Sequence, residues 1–165
     1  ADISPLQGMT PEAINADVAL FDIQPAVHYI NGLSNVTAYT NFNGESRAPG
    51  SHIHFHAKMP GKATMRIYRG AKEIFKREMY AEAGLNTYNW RFVEITGERT
   101  QEELDQMAAR FRRFGWTEEQ INGRMEQMRY ETRGVGVGTY RVEVEMNGQT
   151  VTKEAVVMKD HWTLK

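Results

Sequence analysis

Three histidines stand two residues apart in His52-Ile53-His54-Phe55-His56, the sharpest chemical suggestion in the chain. On a β-strand, residues two apart share a face, so the three imidazoles point the same way. Neighbouring members are roughly 6.8 Å apart at Cα, a spacing that suits two ligands on one Zn or Cu ion. The outer pair is about twice as far apart, so one ion reaching all three needs a bent strand. Another ligand must come from elsewhere, and His28 and His161 complete the histidine inventory. The preferred reading is plainer: an exposed sheet face of polar residues opposite a buried face made by Ile53 and Phe55. No cofactor is therefore expected, and a metal-binding protein using Zn or Cu on this strand is the alternative.

Other chemistry finds less support. Cysteine is absent, which removes disulfides and thiolate metal sites. Gly134-Val135-Gly136-Val137-Gly138 has the glycines of a phosphate loop but no Lys-Ser/Thr, and it leads into a strand instead of a helix. No motif places a Ser/His/acid set, so no catalytic residue is assigned and an enzyme is not expected. Tyr29, Tyr39, Trp90, Trp116, Tyr130, Tyr140 and Trp162 can stack on sugar rings, which keeps a carbohydrate-binding module as a second alternative. Strand parity sends Trp90 and Tyr140 inward. Trp116, in a helix–helix turn, and Trp162, in the tail, are expected at a contact with another chain, because exposed aromatics favour interfaces.

The charge balance narrows the partners. Lys and Arg number 20 against 21 Asp and Glu, a net charge of -1 over 165 residues. No basic excess argues for nucleic acid, and no apolar run approaches the roughly 20 residues of a membrane-spanning helix. Ala1-Asp2-Ile3-Ser4-Pro5 lacks the basic start and hydrophobic stretch of a signal peptide. The numbering is thus compatible with a start after a cleaved signal or partway along a longer chain.

The elements follow from periodicity. Residues 1–25 read as an N-terminal arm with a short helix, begun by Thr10 as N-cap and Pro11 at the first helical position, and ended by Pro25. Ile14, Val18, Leu20 and Phe21 are its expected apolar anchors. From residue 26 the period is two: Val27–Tyr29, Val36–Tyr39, Ile53–Ala57, Ala63–Tyr68, Ile74–Lys76 and Thr87–Phe92, broken by Gly and Pro turns. Thr100-Gln101-Glu102-Glu103 and Thr117-Glu118-Glu119-Gln120 are capping boxes. They predict a helical hairpin, about 100–113 and 117–130, turning at Gly115, inside an insertion at about 98–132. Residues 133–138 then read as a flexible return. Tyr140–Met146 and Val151–Met158 form a hairpin across Asn147-Gly148. Short strands every ten or so residues predict a mainly β, immunoglobulin- or fibronectin-like antiparallel β-sandwich spanning 26–165.

Met65-Arg66-Ile67-Tyr68, Ala83-Gly84-Leu85-Asn86, Trp90 and Gly138-Thr139-Tyr140 together resemble the immunoglobulin-like module of flagellar hook-capping proteins. With Asp2-Ile3-Ser4-Pro5-Leu6, Thr10-Pro11-Glu12 and Leu20-Phe21 ahead of them, the chain also resembles the C-terminal module of bacterial exported sortilin-like proteins with β-propeller repeats. The propeller itself is missing, and 97–134 is longer and more helical than the simple module. The resemblance implies a non-catalytic accessory or structural role in an exported protein, periplasmic, on the cell surface or extracellular. A protein partner is expected: a larger chain, a propeller domain, or a second copy. Leu6, Leu20, Phe21, Phe111, Trp116, Met125 and Trp162 are the candidate partner-binding residues, spread over arm, helical hairpin and tail. The Met-rich face of the hairpin is otherwise a lid on its own sheet.

Overall fold

The computed structural model of the chain describes residues 7–28 and 50–159. It is mainly β, with several antiparallel sheets and a few short helices. Helix α1 (Pro11–Asn15) begins as its sequence predicts: the Thr10 hydroxyl accepts from the Ala13 N–H at 3.2 Å, and Pro11 fills the first turn. It stops at Asn15, far short of Pro25. Ala16 is already extended (φ -69°, ψ 147°), and Val18–Leu20 forms strand β1, which pairs antiparallel with β3 (Ser51–Ala57). Pairing with β3 buries Val18 and Leu20 on one face, and this tertiary gain overrides the helical spacing of Ile14 and Val18.

The N-terminal arm therefore contributes to the core at its end. Leu20 and Phe21, expected to meet a partner, are only 7% and 6% exposed, with Val18 and Ile23 buried beside them in sequence.

Strand β3 also pairs with β6 (Gly84–Trp90), giving a three-stranded sheet of order β1-β3-β6. A five-stranded sheet runs β2 (Ala26–His28), β10 (Gln149–Lys159), β9 (Gly138–Met146), β4 (Gly61–Arg69) and β5 (Lys72–Ala81). Its pairings are antiparallel except that of β2 with β10, which is parallel. No short turn joins those two strands, so nothing forces the hairpin direction on them. The predicted strand at Val36–Tyr39 lies outside the described residues.

The two sheets meet through their aromatic rings. Trp90 on β6 packs edge-on against Tyr140 on β9, centroids 5.0 Å apart, and Phe75 on β5 reaches Tyr88 on β6 at 6.0 Å. Ile53, Phe55, Met65, Ile67, Val142 and Val144 fill the interior. This arrangement is consistent with a β-sandwich. The chain crosses from β5 to β6 at Ala83-Gly84-Leu85-Asn86, where the Asn86 carboxamide accepts from the Glu82 N–H (3.0 Å) and donates to the Glu82 and Gly84 carbonyls (2.8 and 3.1 Å). Asn147 (φ 52°) and Gly148 (φ 77°) turn β9 into β10, both in the left-handed conformation this two-residue hairpin needs.

Residues Val93–Gly134 form a second compact unit, set into the first (Ala1–Phe92 with Val135–Lys165). Its stem is a two-stranded antiparallel ribbon, β7 (Val93–Glu98) with β8 (Tyr130–Gly134). The stem carries α2 (Gln101–Arg113) and α3 (Glu118–Met128), within two residues of the predicted helices. The expected flexible return at 133–138 is corrected at both ends: Arg133 and Gly134 lie in β8, Val135 is buried with its N–H donating to the Phe92 carbonyl at 2.8 Å, and Gly138 already begins β9. That bond pins together the two places where the insertion leaves and rejoins the body. Among the described residues, no helix is long and apolar enough to cross a membrane.

Trp90→Ala is expected to lower stability by about 3–5 kcal/mol, since a fully buried indole leaves a cavity that the β-ladders cannot collapse. Tyr140→Phe, which only removes the 2.6 Å hydrogen bond to the Gly136 carbonyl, is expected to cost about 1 kcal/mol. Urea unfolding of the full chain measures both; equal losses would show that the ring contact is not the stronger term.

Candidate functional site

The strand histidines sit at the centre of the three-stranded sheet, where β3 lies between β1 and β6. Their alternation with Ile53 and Phe55 is as predicted: the two apolar residues are fully buried, while His52 and His54 are half-buried on the other face. Register places Asn89 beside His52, Thr87 beside His54, and Ala19 and Leu85 beside His56. His54 Nδ1 and the Thr87 hydroxyl are 2.8 Å apart, sharing a hydrogen bond. His56 is buried. His28, on β2, is engaged edge-on with the Phe92 ring at 5.3 Å, and His161 lies outside the described residues. Among the described residues, no three His, Asp or Glu side chains converge as a metal-holding group. A histidine stripe on a straight strand supplies the ligand type without the convergence that a tetrahedral ion requires.

The aromatic residues divide between interior and surface. Trp90 and Tyr140 have no exposed area, as parity predicts, and Trp116 is 40% exposed. Tyr130 is half-buried, with the Arg129 guanidinium 5.9 Å above its ring. Leu6, Tyr29, Tyr39 and Trp162 lie outside the described residues. Of the candidate partner-binding residues, Leu20 and Phe21 belong to the core, whereas Phe111, Trp116 and Met125 lie in the helical unit, where Phe111 and Trp116 stack and Met125 lines a groove.

That unit is held by polar geometry more than by its core. Both capping boxes form: Thr100 and Thr117 accept from the N–H groups of Glu103 and Gln120, whose side chains accept in return from the cap N–H groups. Helix α2 ends in a left-handed glycine, Gly115 (φ 82°). The Trp116 N–H reaches the Phe111 carbonyl (3.2 Å) and the Gly115 N–H the Arg112 carbonyl (3.0 Å). This crossed pair satisfies two carbonyls of the last turn and brings residues three before and two after the cap into contact. Those residues are Phe111 and Trp116, stacked at 4.7 Å. Arg112 grips Glu118 with two hydrogen bonds of 2.6 and 3.0 Å, joining the last turn of one helix to the first turn of the next, where each charge interacts favourably with its helix dipole. At the far end the Arg99 guanidinium donates to the Met128 and Tyr130 carbonyls and closes α3.

Only Ala108 and Ile121 are fully buried in this hairpin; Leu104, Met107, Phe111, Met125 and Met128 are half-exposed. Leu104, Ala108, Ile121 and Met125 floor an open groove of about 660 Å³ rimmed by charged residues such as Arg99 and Glu126. Helices of 13 and 11 residues are marginal in water on their own, so caps and ion pairs substitute for apolar burial and leave the seam available. The apolar spacing of Leu104, Met107, Ala108 and Phe111 was legible in the sequence. Arg99 and the Arg112–Glu118 pair were missed because their partners are carbonyls and a carboxylate across a turn, which no periodicity marks.

Comparison with protein-family models, with curated proteins and with solved structures finds no match for this chain.

Two outcomes follow for the hairpin. Gly115→Ala meets open space around the added Cβ, so its expected cost is the left-handed backbone alone, about 1–2 kcal/mol, with Gly115→Asn milder; helical circular dichroism during urea unfolding reads both. The second concerns acid. Hydrogen bonds from the Thr100 backbone and hydroxyl hold the Glu103 carboxyl below its ordinary range, and Arg112 does the same for Glu118. Both groups bind protons less readily folded than unfolded. Their stabilisation is thus complete above the ordinary carboxylate range near pH 4 and is lost as pH falls through the lowered folded values. Helix signal is expected to decline in that window, and Glu103→Gln/Glu118→Gln to flatten the decline; a double variant tracing the wild-type curve would refute the assignment.

Proposed function

We propose that the chain is a non-catalytic accessory or assembly module of an exported or cell-surface bacterial protein, and that its helical unit docks a protein partner. The observation that carries this reading is the half-covered apolar seam of Val93–Gly134, together with a partly exposed Trp116 stacked on Phe111. A stacked, partly exposed indole and, in the same unit, an apolar groove that includes the adaptable Met125 are the side-chain types an interface anchor requires. Of the polar residues that face the groove, Glu98, Arg99, Arg112 and Arg129 already serve caps and ion pairs that help keep the helices folded.

The resemblance to the immunoglobulin-like C-terminal module of sortilin-like β-propeller repeat proteins is part of the same proposal. Two features support it. The Tyr140 hydroxyl donates to the Gly136 carbonyl four residues upstream, at 2.6 Å, as in the tyrosine corner of immunoglobulin-like domains. Asn86 ties the crossover between sheets with three hydrogen bonds, which gives the Ala-Gly-x-Asn text a structural purpose. In this reading the partner is a larger chain or a propeller domain, and the histidine strand is a sheet face.

Native mass spectrometry of the protein purified from its source, without chelators, tests the proposal. Co-purification with a larger chain at fixed stoichiometry is expected, and Trp116→Ala/Met125→Ala is expected to weaken that complex at least about tenfold, the loss typical of interface anchors. A bare chain carrying one added metal mass would overturn the reading and move His52, His54 and His56 to the centre.

A further inference from the structure

The side of α2 turned away from the groove has a different character. At about 100° per residue, Glu102, Asp105, Gln106, Ala109, Arg110 and Arg113 fall within an arc of roughly 140°, centred opposite Leu104 and Phe111. All six are exposed. Their charges are segregated along the helix, acidic before residue 107 and basic after 108. Arg112 is engaged with Glu118, and Glu103 with the Thr100 cap. Among the described residues, Glu102, Arg110 and Arg113 have no ion-pair partner, and Asp105 accepts only from Gln101, at 2.9 Å. A shallow recess of about 470 Å³, lined by Gln106, Ala109, Arg110, Arg113 and Phe114, lies on this side. Phe114 beside it is 70% exposed.

The order of these residues is self-complementary. Placed antiparallel to its own copy about a two-fold axis between residues 107 and 108, the face sets Glu102 against Arg113, Asp105 against Arg110, and Gln106 against Ala109. Each pairing then occurs twice. Ala109 near the middle of the stripe lets the helices approach, and Phe114 at the end of each helix extends the contact beyond the charges. The helix dipole alone favours acids in the first turn and bases in the last on every side of a helix. It does not account for the confinement of the uncommitted charges to one stripe, or for a small residue at that stripe's middle. From this face we infer that the chain self-associates as a two-fold dimer through α2, with a second copy of the same helix as the occupant. An isologous contact of this kind is self-limiting, and it leaves the Leu104–Met125 groove for a different partner.

The test is sedimentation equilibrium of the full chain at low salt, with two charge-reversed variants. Glu102→Arg/Asp105→Arg makes the stripe wholly basic, and Arg110→Glu/Arg113→Glu makes it wholly acidic. The wild type is expected to dimerise, and more weakly by roughly tenfold when salt is raised to 0.5 M, where exposed charges are screened. Each variant alone is expected to be monomeric, because like charges then face one another. An equimolar mixture of the two is expected to form a heterodimer at least as tight as the wild-type dimer. A wild type that stays monomeric at high concentration, a mixture that does not associate, or variants that dimerise as well as the wild type would each overturn the inference. Circular dichroism checks that the reversals keep the helix. Where one does not, the neutral Arg110→Gln/Arg113→Gln replaces it, and undiminished dimerisation of that variant would count equally against the proposal. None of these outcomes bears on binding of a larger chain at Trp116 and Met125, which the native mass measurement reads separately.

Discussion

Trp90 and Tyr140 meet edge-to-face across the two sheets of the main body, 5.0 Å between ring centroids, and neither retains exposed surface. Much else is arranged around that contact. Phe92 extends the cluster from Trp90, at 5.7 Å, with its ring buried and a left-handed φ of 56°. Its carbonyl then accepts the Val135 N–H, so the chain leaves and returns to the body at one hydrogen-bonded point beside the largest buried side chains. Tyr140 in turn ties its hydroxyl to Gly136 on the approach to β9. The centre of the core and the attachment of the insertion are therefore one structure. An aromatic pair of this geometry contributes about 0.5–1.5 kcal/mol beyond its buried area.

The two units solve the problem of stability differently. The main body buries a continuous interior of aliphatic and aromatic residues between two sheets, and its outward faces carry ion pairs such as Arg66–Glu145 and Arg141–Glu143. The helical unit buries little and depends on directional bonds: two capping boxes, a left-handed glycine stop, an arginine–glutamate clamp across the turn, and Arg99 closing the last carbonyls. Exposed ion pairs are worth little one at a time, but caps act at the groups a short helix can least leave unsatisfied. A unit stabilised in this way leaves much of its apolar seam only half-covered. That division is the physical basis for reading the helices as the part that meets other molecules.

The strand histidines show how far a motif reaches without its surroundings. Spacing of two on a strand determined that they share a face, and they do. Whether a face is a metal site depends on what converges on it from other strands, and Thr87, Asn89, Ala19 and Leu85 are what register brings there. Leu20 and Phe21 make the same point for binding. Apolar residues in a segment with helical spacing looked available to a partner, until strand pairing with β3 placed Val18 and Leu20 in the core.

By itself, the sequence determined what depends on local chemistry. Thr-Pro-Glu starts a helix, Thr-x-x-Glu and Thr-x-x-Gln start two more, Gly115 stops the second, and Asn147-Gly148 turns a hairpin, because each is settled by hydrogen bonds and dihedral limits within a few residues. The alternation of Ile53, Phe55, Met65, Ile67, Val142 and Val144 similarly indicated which faces would be buried. Tertiary structure decided what depends on partners distant in sequence. It recruited Val18–Leu20 as a strand, set β2 parallel to β10, and paired β7 with β8 into a stem across more than thirty intervening residues. Such pairings are governed by register between segments that carry no local mark of one another. The resulting geometry buried some candidate contacts and left Trp116 and the α2 stripe exposed.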